Sequence, residues 1–152
     1  MSGTDLEVSR LFAAPPAKVW RCLTEPDLVC RWWTPAPVTT TSADIGLYPG
    51  GAFRMTFVMP DHPAQVMDFC ILHVDPGRRL VWTDLMSEGL RPAKAMFGFA
   101  AITSIAAEGT GTRYRAQAMH RSAEGAENHV QAGFHEGWGA VADQLGKVAE
   151  GI

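Results

Sequence analysis

The longest periodic pattern of apolar positions lies near the C-terminal end of the chain, within residues 120–148. Its apolar side chains recur at steps of three and four residues: Val130, Phe134, Trp138, Val141, Leu145 and Val148. This spacing places them on one face of an α-helix. The pattern therefore predicts one long amphipathic helix that covers an apolar surface supplied by the rest of the chain.

Four glycines interrupt this helical pattern: Gly133, Gly137, Gly139 and Gly146. Each glycine inside a helix costs about 1 kcal/mol relative to alanine, so their presence needs a reason. Either another part of the chain packs very close to the helix at these positions, or the helix leaves room beside Phe134 and Trp138. The second explanation favours a cavity between the helix and the surface that it covers.

Upstream of this helix, alternating apolar and polar positions are typical of β-strands, and turn residues separate them. A first strand is predicted over residues 6–12, and two short helices follow, one from Pro15 to about Thr24 and one over residues 27–33. Further strands are predicted over residues 38–45, 52–59, 66–74, 80–85, 95–105 and 112–120. The connections are too short for parallel crossovers, so the strands should pair as an antiparallel meander.

The strand patterns indicate which side chains face the helix. Phe53, Met55 and Phe57 alternate on one face of their strand, and Tyr114 and His120 share a face with two alanines on the last strand. A curved sheet with one apolar face needs a cover. The sequence predicts a single α+β domain over residues 1–152, in which about six or seven antiparallel strands surround the C-terminal helix.

Composition narrows the function classes. The net charge is -3 and the isoelectric point is near 5.9, so no basic field favours nucleic acid or anionic lipid. No signal peptide is recognisable, and the longest apolar tract is too short to span a bilayer. Three cysteines without a CxxC pair favour buried free thiols. We therefore expect a cytoplasmic protein without nucleic acid or membrane partners, and a homodimer is left open.

Four segments together resemble a known family. They read RLFAAPPAKVWRCLTEPDLVCRWW, LYPGGAF, DPGRRLVWTD and HVQAGFHEGWGAVADQL, in that order. They are similar to the START-like (SRPBCC, birch-pollen-allergen-like) superfamily, and more closely to the bacterial proteins named for the C-terminal domain of the activator of a heat-shock-protein ATPase (AHSA-type). The resemblance covers about residues 8–148.

This resemblance implies the helix-grip fold, in which an antiparallel sheet wraps around a long C-terminal helix. In many relatives a cavity between sheet and helix holds an apolar ligand. The chain departs from the family pattern before the Pro-Gly-Gly turn, where Gly46, Leu47 and Tyr48 stand, and at Asp61-His62. These departures concern the rim of the cavity and its outer turns, so they bear on a shared ligand and not on the fold.

The motifs of common enzyme classes are missing from the sequence. It contains no GxSxG elbow, no GxxxxGK[ST] loop and no GxGxxG turn after a strand. His129 and His135 are six residues apart, so on one helix they point in different directions and cannot share a metal ion. We expect neither a metal nor a cofactor.

A scattered polar set still leaves an enzyme open. His120, with Asp84 or Tyr114, could act as a general acid or base on a cyclising or hydrating substrate, and Glu136 is a further candidate. His120 could equally cap the end of its strand or bind a backbone carbonyl. An interaction module, by analogy with the chaperone activator that gives the family its name, is a third alternative.

The prediction that the sequence favours is a binding protein for a small apolar or aromatic ligand. Aromatic side chains and methionines converge on the predicted inner faces, and flexible thioethers suit an adaptable pocket. The residues predicted to contact the ligand are Trp33, Phe53, Met55, Phe57, Phe97, Phe99, Tyr114, His120, Phe134 and Trp138.

Overall fold

The computed structural model describes residues 3–152, which form a seven-stranded antiparallel sheet that curves around a C-terminal helix. The strands of this sheet are β1 (Asp5–Phe12), β2 (Thr39–Ile45), β3 (Ala52–Val58), β4 (Gln65–Asp75), β5 (Arg79–Thr83), β8 (Phe99–Glu108) and β9 (Gly111–His120). Two further short strands form a separate hairpin, β6 (Met86–Ser87) and β7 (Arg91–Pro92). The helices are α1 (Pro16–Thr24), α2 (Pro26–Val29), α3 (Ala123–Gln131) and α4 (Phe134–Gly151). The predicted α+β helix-grip fold is confirmed.

The sheet runs in the order β1-β9-β8-β5-β4-β3-β2, so the first strand pairs with the last one. All neighbours are antiparallel, as the short connections predict. On β9 the alternation works as expected, because Tyr114 and His120 are buried on the face that carries two buried alanines. This concave face is the surface that the C-terminal helix covers.

The convex face of the sheet is polar. Arg54 on β3 lies within ion-pair distance of Asp44, Asp68 and Glu88, and Arg115 on β9 pairs with a glutamate of β1. Surface ion pairs of this kind contribute little to stability, but they mark the side of the sheet that faces water. No helix within residues 3–152 is long and apolar enough to cross a membrane.

The prediction of one long C-terminal helix is wrong at a single point. The chain forms α3, breaks at Ala132 and Gly133, and then forms α4. Gly133 has a φ of 96°, a left-handed conformation that interrupts a right-handed helix and that glycine adopts without a Cβ clash. Ser122 begins α3 by accepting a hydrogen bond from the Gly125 N–H at 3.0 Å. The apolar stripe is therefore divided, with Val130 on α3 and the rest on α4.

The segment between β5 and β8 also differs from the prediction. Residues 87–94, predicted as a polar loop, include most of the β6–β7 hairpin, which begins at Met86, and β8 begins at Phe99 and not at residue 95. The delay has a physical cause, because Gly98 has a φ of 72° and the N–H of Phe99 donates to the Asp84 carboxylate. The backbone reaches the sheet only after this turn.

The glycines of α4 serve different purposes. A Cβ on Gly146 would lie 2.7 Å from the Phe12 ring, so this glycine allows β1 to pack close against the helix. A Cβ on Gly137 would meet no atom within 4 Å, so open space adjoins the helix at this position. Both explanations considered for the glycines hold, each at its own position.

Candidate functional site

A cavity of about 540 Å³ lies between the concave face of the sheet, α4 and the chain after α2. Most of the predicted ligand-contacting residues line it, on separate elements of the fold: Trp33, Phe53, Phe57, Phe97, Phe99, Tyr114 and Trp138. Its wall is mainly apolar and aromatic. The open space beside Gly137 belongs to this cavity.

Three of the predicted contact residues do not line the cavity: Met55, Phe134 and His120. Met55 is fully buried in the core on β3. The ring centre of Phe134 lies 5.0 Å from that of His129 and 4.5 Å from that of Trp138, so Phe134 packs behind those two wall residues. His120 lies behind His129 and is joined to it by a hydrogen bond of 2.8 Å between His120 Nε2 and His129 Nδ1. Phe134 and His120 therefore support residues of the wall from behind.

The wall is a continuous cluster of aromatic rings. Trp33 meets Phe53 edge-on with ring centres 5.2 Å apart, and Trp82 lies 4.6 Å from Phe69 and 6.2 Å from Trp138. Offset and edge-to-face pairs of this kind are the favourable aromatic geometries. Trp82 and Phe69 were not predicted as contacts, although Trp82 alternates with Leu80 on its strand in the manner of an inward position. That alternation is the signal that could have identified Trp82.

The cavity opens to solvent between the start of β4 and the loop before β8. Val66 and Met96 are exposed lining residues there, with 57% and 83% of their surface accessible. Lys94 lies in the same region, and Met67 accepts a hydrogen bond from the Trp33 indole at 3.4 Å. Exposed apolar side chains at the rim of a pocket are typical of a ligand entrance. We call the region formed by residues 65–68 and 94–97 the mouth.

Two buried histidines form a chain at the side of the cavity near α3. His120 Nδ1 lies 3.0 Å from the Thr4 carbonyl oxygen, and His120 Nε2 lies 2.8 Å from His129 Nδ1. A carbonyl oxygen only accepts, so Nδ1 of His120 carries a proton and donates it. In a neutral His120 ring Nε2 is then the acceptor, and His129 Nδ1–H is the donor to it.

His129 lines the cavity, and its environment keeps it uncharged. Its ring stacks on Phe97 with centres 4.0 Å apart and planes 8° apart, and 6% of the residue is accessible. Burial, followed by the neighbouring His120, lowers the pKa of His129 to about 4, while Asp84 acts in the opposite direction. Near neutral pH this imidazole is therefore neutral. In the sequence, His129 was considered only as a metal ligand. Its spacing of three residues from the buried Ala126 on α3 is the signal that could have identified an inward side chain.

Asp84, a catalytic candidate in the sequence, holds the backbone before β8. Its carboxylate accepts hydrogen bonds from the N–H groups of Phe97, Gly98 and Phe99 at 3.0, 3.2 and 2.9 Å. Three charge-assisted bonds satisfy most of the capacity of a buried carboxylate. Asp84 thus shapes the turn that places Phe97 and Phe99 in the wall.

Tyr114 lines the cavity from β9, and its ring stacks on Phe12 at 5.4 Å. Burial raises the pKa of its phenol, which stays protonated. Within residues 3–152 no hydrogen bond joins Tyr114, His120 and Asp84 to one another. The structure therefore does not connect the three candidates of the predicted acid-base set.

Comparison with known proteins identifies the family. The model of the family described as activator of Hsp90 ATPase homolog 1-like protein matches residues 13–150. No curated protein sequence matches the chain.

Solved structures agree with this assignment. The crystal structure of a protein from Nitrosomonas europaea is 34% identical, with a TM-score of 0.93 over 99% of this chain and 96% of the other. A protein from Rhodobacter sphaeroides is 19% identical, with a TM-score of 0.85 over 99% and 95%. An AHSA1-like protein from Aeromonas hydrophila is 18% identical, with a TM-score of 0.75 over 97% and 92%. The chain thus belongs to the family of activator of Hsp90 ATPase homolog 1-like proteins.

Proposed function

We propose that this protein binds a small, mainly aromatic ligand in the cavity between the sheet and α4. The observation that carries the proposal is a space of about 540 Å³ with an aromatic wall and a mouth. Ligand pockets are commonly about 300–1,000 Å³ and apolar, with few polar groups. The ring cluster around Trp33 and Trp82 offers faces and edges on which a planar ligand can stack.

A binding role has more support than acid-base catalysis by the predicted pair of His120 and Asp84. Both ring nitrogens of His120 are engaged, one by the Thr4 carbonyl and one by His129. The Asp84 carboxylate is engaged by backbone N–H groups. A general base needs a free lone pair within reach of the substrate, so these two residues are poorly suited to that role.

We also propose that the protein is located in the cytoplasm. Cys22, Cys30 and Cys70 are all free thiols, and two of them are fully buried. Free thiols of this kind suit a reducing compartment.

The proposal is tested by titrating the protein with N-phenyl-1-naphthylamine, a neutral aromatic probe whose fluorescence rises in apolar surroundings. We expect saturable binding that Gly137→Phe abolishes, because the new ring would enter the open space beside α4. Gly151→Phe is the matched control, since Gly151 lies on the same helix, also has open space around it and is remote from the lining residues. Equal binding by both variants, or no binding by the unmodified protein, would overturn the proposal.

A further inference from the structure

We propose that the ligand is an uncharged aromatic alcohol or phenol whose hydroxyl donates a hydrogen bond to Nε2 of His129. The inference rests on the proposed binding function and assigns its polar contact. It adds to the proposed binding function the atom that distinguishes between aromatic ligands of the same shape.

The first step is the direction of the hydrogen bonds in the histidine pair. The Thr4 carbonyl accepts from Nδ1–H of His120, so in the neutral form of that ring Nε2 carries the lone pair and accepts the proton of His129 Nδ1–H. A neutral imidazole has one N–H and one lone pair. With the proton on Nδ1, the lone pair of His129 is on Nε2.

The second step is that this lone pair is free and accessible. His129 Nδ1 is engaged, and Nε2 has no hydrogen-bond partner among residues 3–152. In that part of the chain no fully buried side-chain nitrogen or oxygen lacks a partner. Nε2 therefore retains accessible surface, and the cavity is the open space that the His129 ring borders. A 94% buried residue thus presents one unpaired acceptor to an apolar cavity.

The third step concerns the charge of the ligand. The charged residues beside the cavity are Lys94, which is exposed at the mouth, Asp68, whose exposed carboxylate pairs with Arg54 on the convex face, and Asp84. The Asp84 oxygens are occupied by three backbone N–H donors, and no lysine or arginine lies among the deeper lining residues. An anionic head group would be desolvated there without a partner, which is costly. The wall therefore favours an uncharged polar group.

The fourth step concerns the type of polar group. An ether or a ketone only accepts and has nothing to donate to the His129 lone pair, which would stay desolvated. A hydroxyl supplies the missing proton.

The experiment compares two ligands of almost identical shape, 2-naphthol and 2-methoxynaphthalene, by displacement of N-phenyl-1-naphthylamine at pH 7. We expect 2-naphthol to bind about tenfold more tightly, since one neutral hydrogen bond to an otherwise unpaired buried acceptor is worth about one decade of affinity. In His129→Phe, which keeps an aromatic ring beside Phe97 but has no acceptor, the ratio of the two affinities should fall to about one.

A second measurement needs no variant. Long-range proton–nitrogen NMR spectra of histidine-labelled protein report which ring nitrogen carries the proton. We expect the Nδ1–H form for both His120 and His129, and a shift of His129 Nε2 on addition of 2-naphthol but not of 2-methoxynaphthalene.

The outcomes separate the two proposals. If neither naphthalene compound nor the fluorescent probe binds, the binding function itself fails. If both compounds bind with equal affinity to the unmodified protein, or if the preference for 2-naphthol survives in His129→Phe, the cavity binds ligands but His129 does not select the hydroxyl. An Nε2–H form of His129 in the free protein would also overturn the inference.

Discussion

Among single residues, Asp84 and His129 show that buried polar groups here organise the wall of the cavity. Asp84 fixes three consecutive N–H groups before β8, and His129 is held by His120. Each is 5–6% accessible, so each needs partners inside the protein. From the sequence we predicted Asp84 as a catalytic candidate, because the sequence shows that a carboxylate is present but not which groups it bonds.

Replacing Asp84 by asparagine tests this structural role. The amide nitrogen cannot accept a hydrogen bond and would face backbone N–H donors, so we expect a loss of about 2–4 kcal/mol in the free energy of unfolding. Urea denaturation followed by circular dichroism measures it. Asp68→Asn is the matched control, because Asp68 is exposed and its ion pair with Arg54 is worth about 1 kcal/mol or less. Equal losses in both variants would contradict the role given to Asp84.

His129 also illustrates which part of the candidate site could be predicted. Aromatic lining residues such as Trp33 and Phe53 could be found because apolar side chains at inward positions have few other places to go. The histidine pair could not, because it depends on how α3 crosses the end of β9, and no local pattern encodes that crossing. Sequence reasoning placed His120 in the cavity, whereas His129 stands between it and the ligand space.

Among the elements, the C-terminal helices show most clearly which features of the fold could be predicted from the sequence. The spacing of the apolar stripe predicted α4 and its buried face, since Phe134, Leu145 and Val148 are all buried. The break at Gly133 was missed because helical periodicity continues across it, whereas a left-handed residue leaves no mark on the apolar pattern. The β6–β7 hairpin was missed for a related reason, because two-residue strands are too short to alternate.

Two glycine substitutions in α4 should have opposite effects. Gly146→Ala would place a Cβ 2.7 Å from the Phe12 ring, and this overpacking should cost about 1–3 kcal/mol of unfolding free energy. Gly137→Ala meets no atom within 4 Å, so it should gain up to about 1 kcal/mol from helix propensity. Thermal denaturation of the two variants provides the measurement. A gain in both would mean that β1 and α4 do not pack as closely as described.

In the whole molecule, the resemblance of four short segments was enough to predict the fold that the structure and the family match confirm. This works because the order of elements leaves few alternatives: a meander with one apolar face must be covered, and one long helix is available to cover it. The size of the cavity, in contrast to the fold, could not be predicted from the sequence. It depends on how far large rings on opposite walls stand apart, and this distance is a property of the assembled fold.

The histidine pair should make the stability of the whole protein depend on pH. His129 has a pKa of about 4 in the folded protein and an ordinary value of 6.5, and the groups facing it are His120 and Asp84. Above pH 6.5 neither state protonates it; between pH 6.5 and about 4 mainly the unfolded chain does, so folding loses up to about 3 kcal/mol as pH falls.

Urea denaturation at pH 7.0 and 4.5 checks this prediction. The unmodified protein should lose more stability between the two pH values than His129→Phe does, because the variant has no imidazole at position 129 to protonate in the unfolded state. The difference between the two proteins removes the contribution of titrating groups that do not contact His129. An identical pH dependence in both would show that His129 titrates normally in the folded protein.

The ring cluster of the wall also has an optical consequence. Four of the five tryptophans, Trp32, Trp33, Trp82 and Trp138, border the cavity, and the indoles of Trp82 and Trp138 stack with planes 21° apart. Indoles this close couple their electronic transitions, and a rigid, chiral arrangement of them contributes to the circular dichroism spectrum of the protein. A ligand that binds between these rings would alter that spectrum, so circular dichroism can report ligand binding without a label.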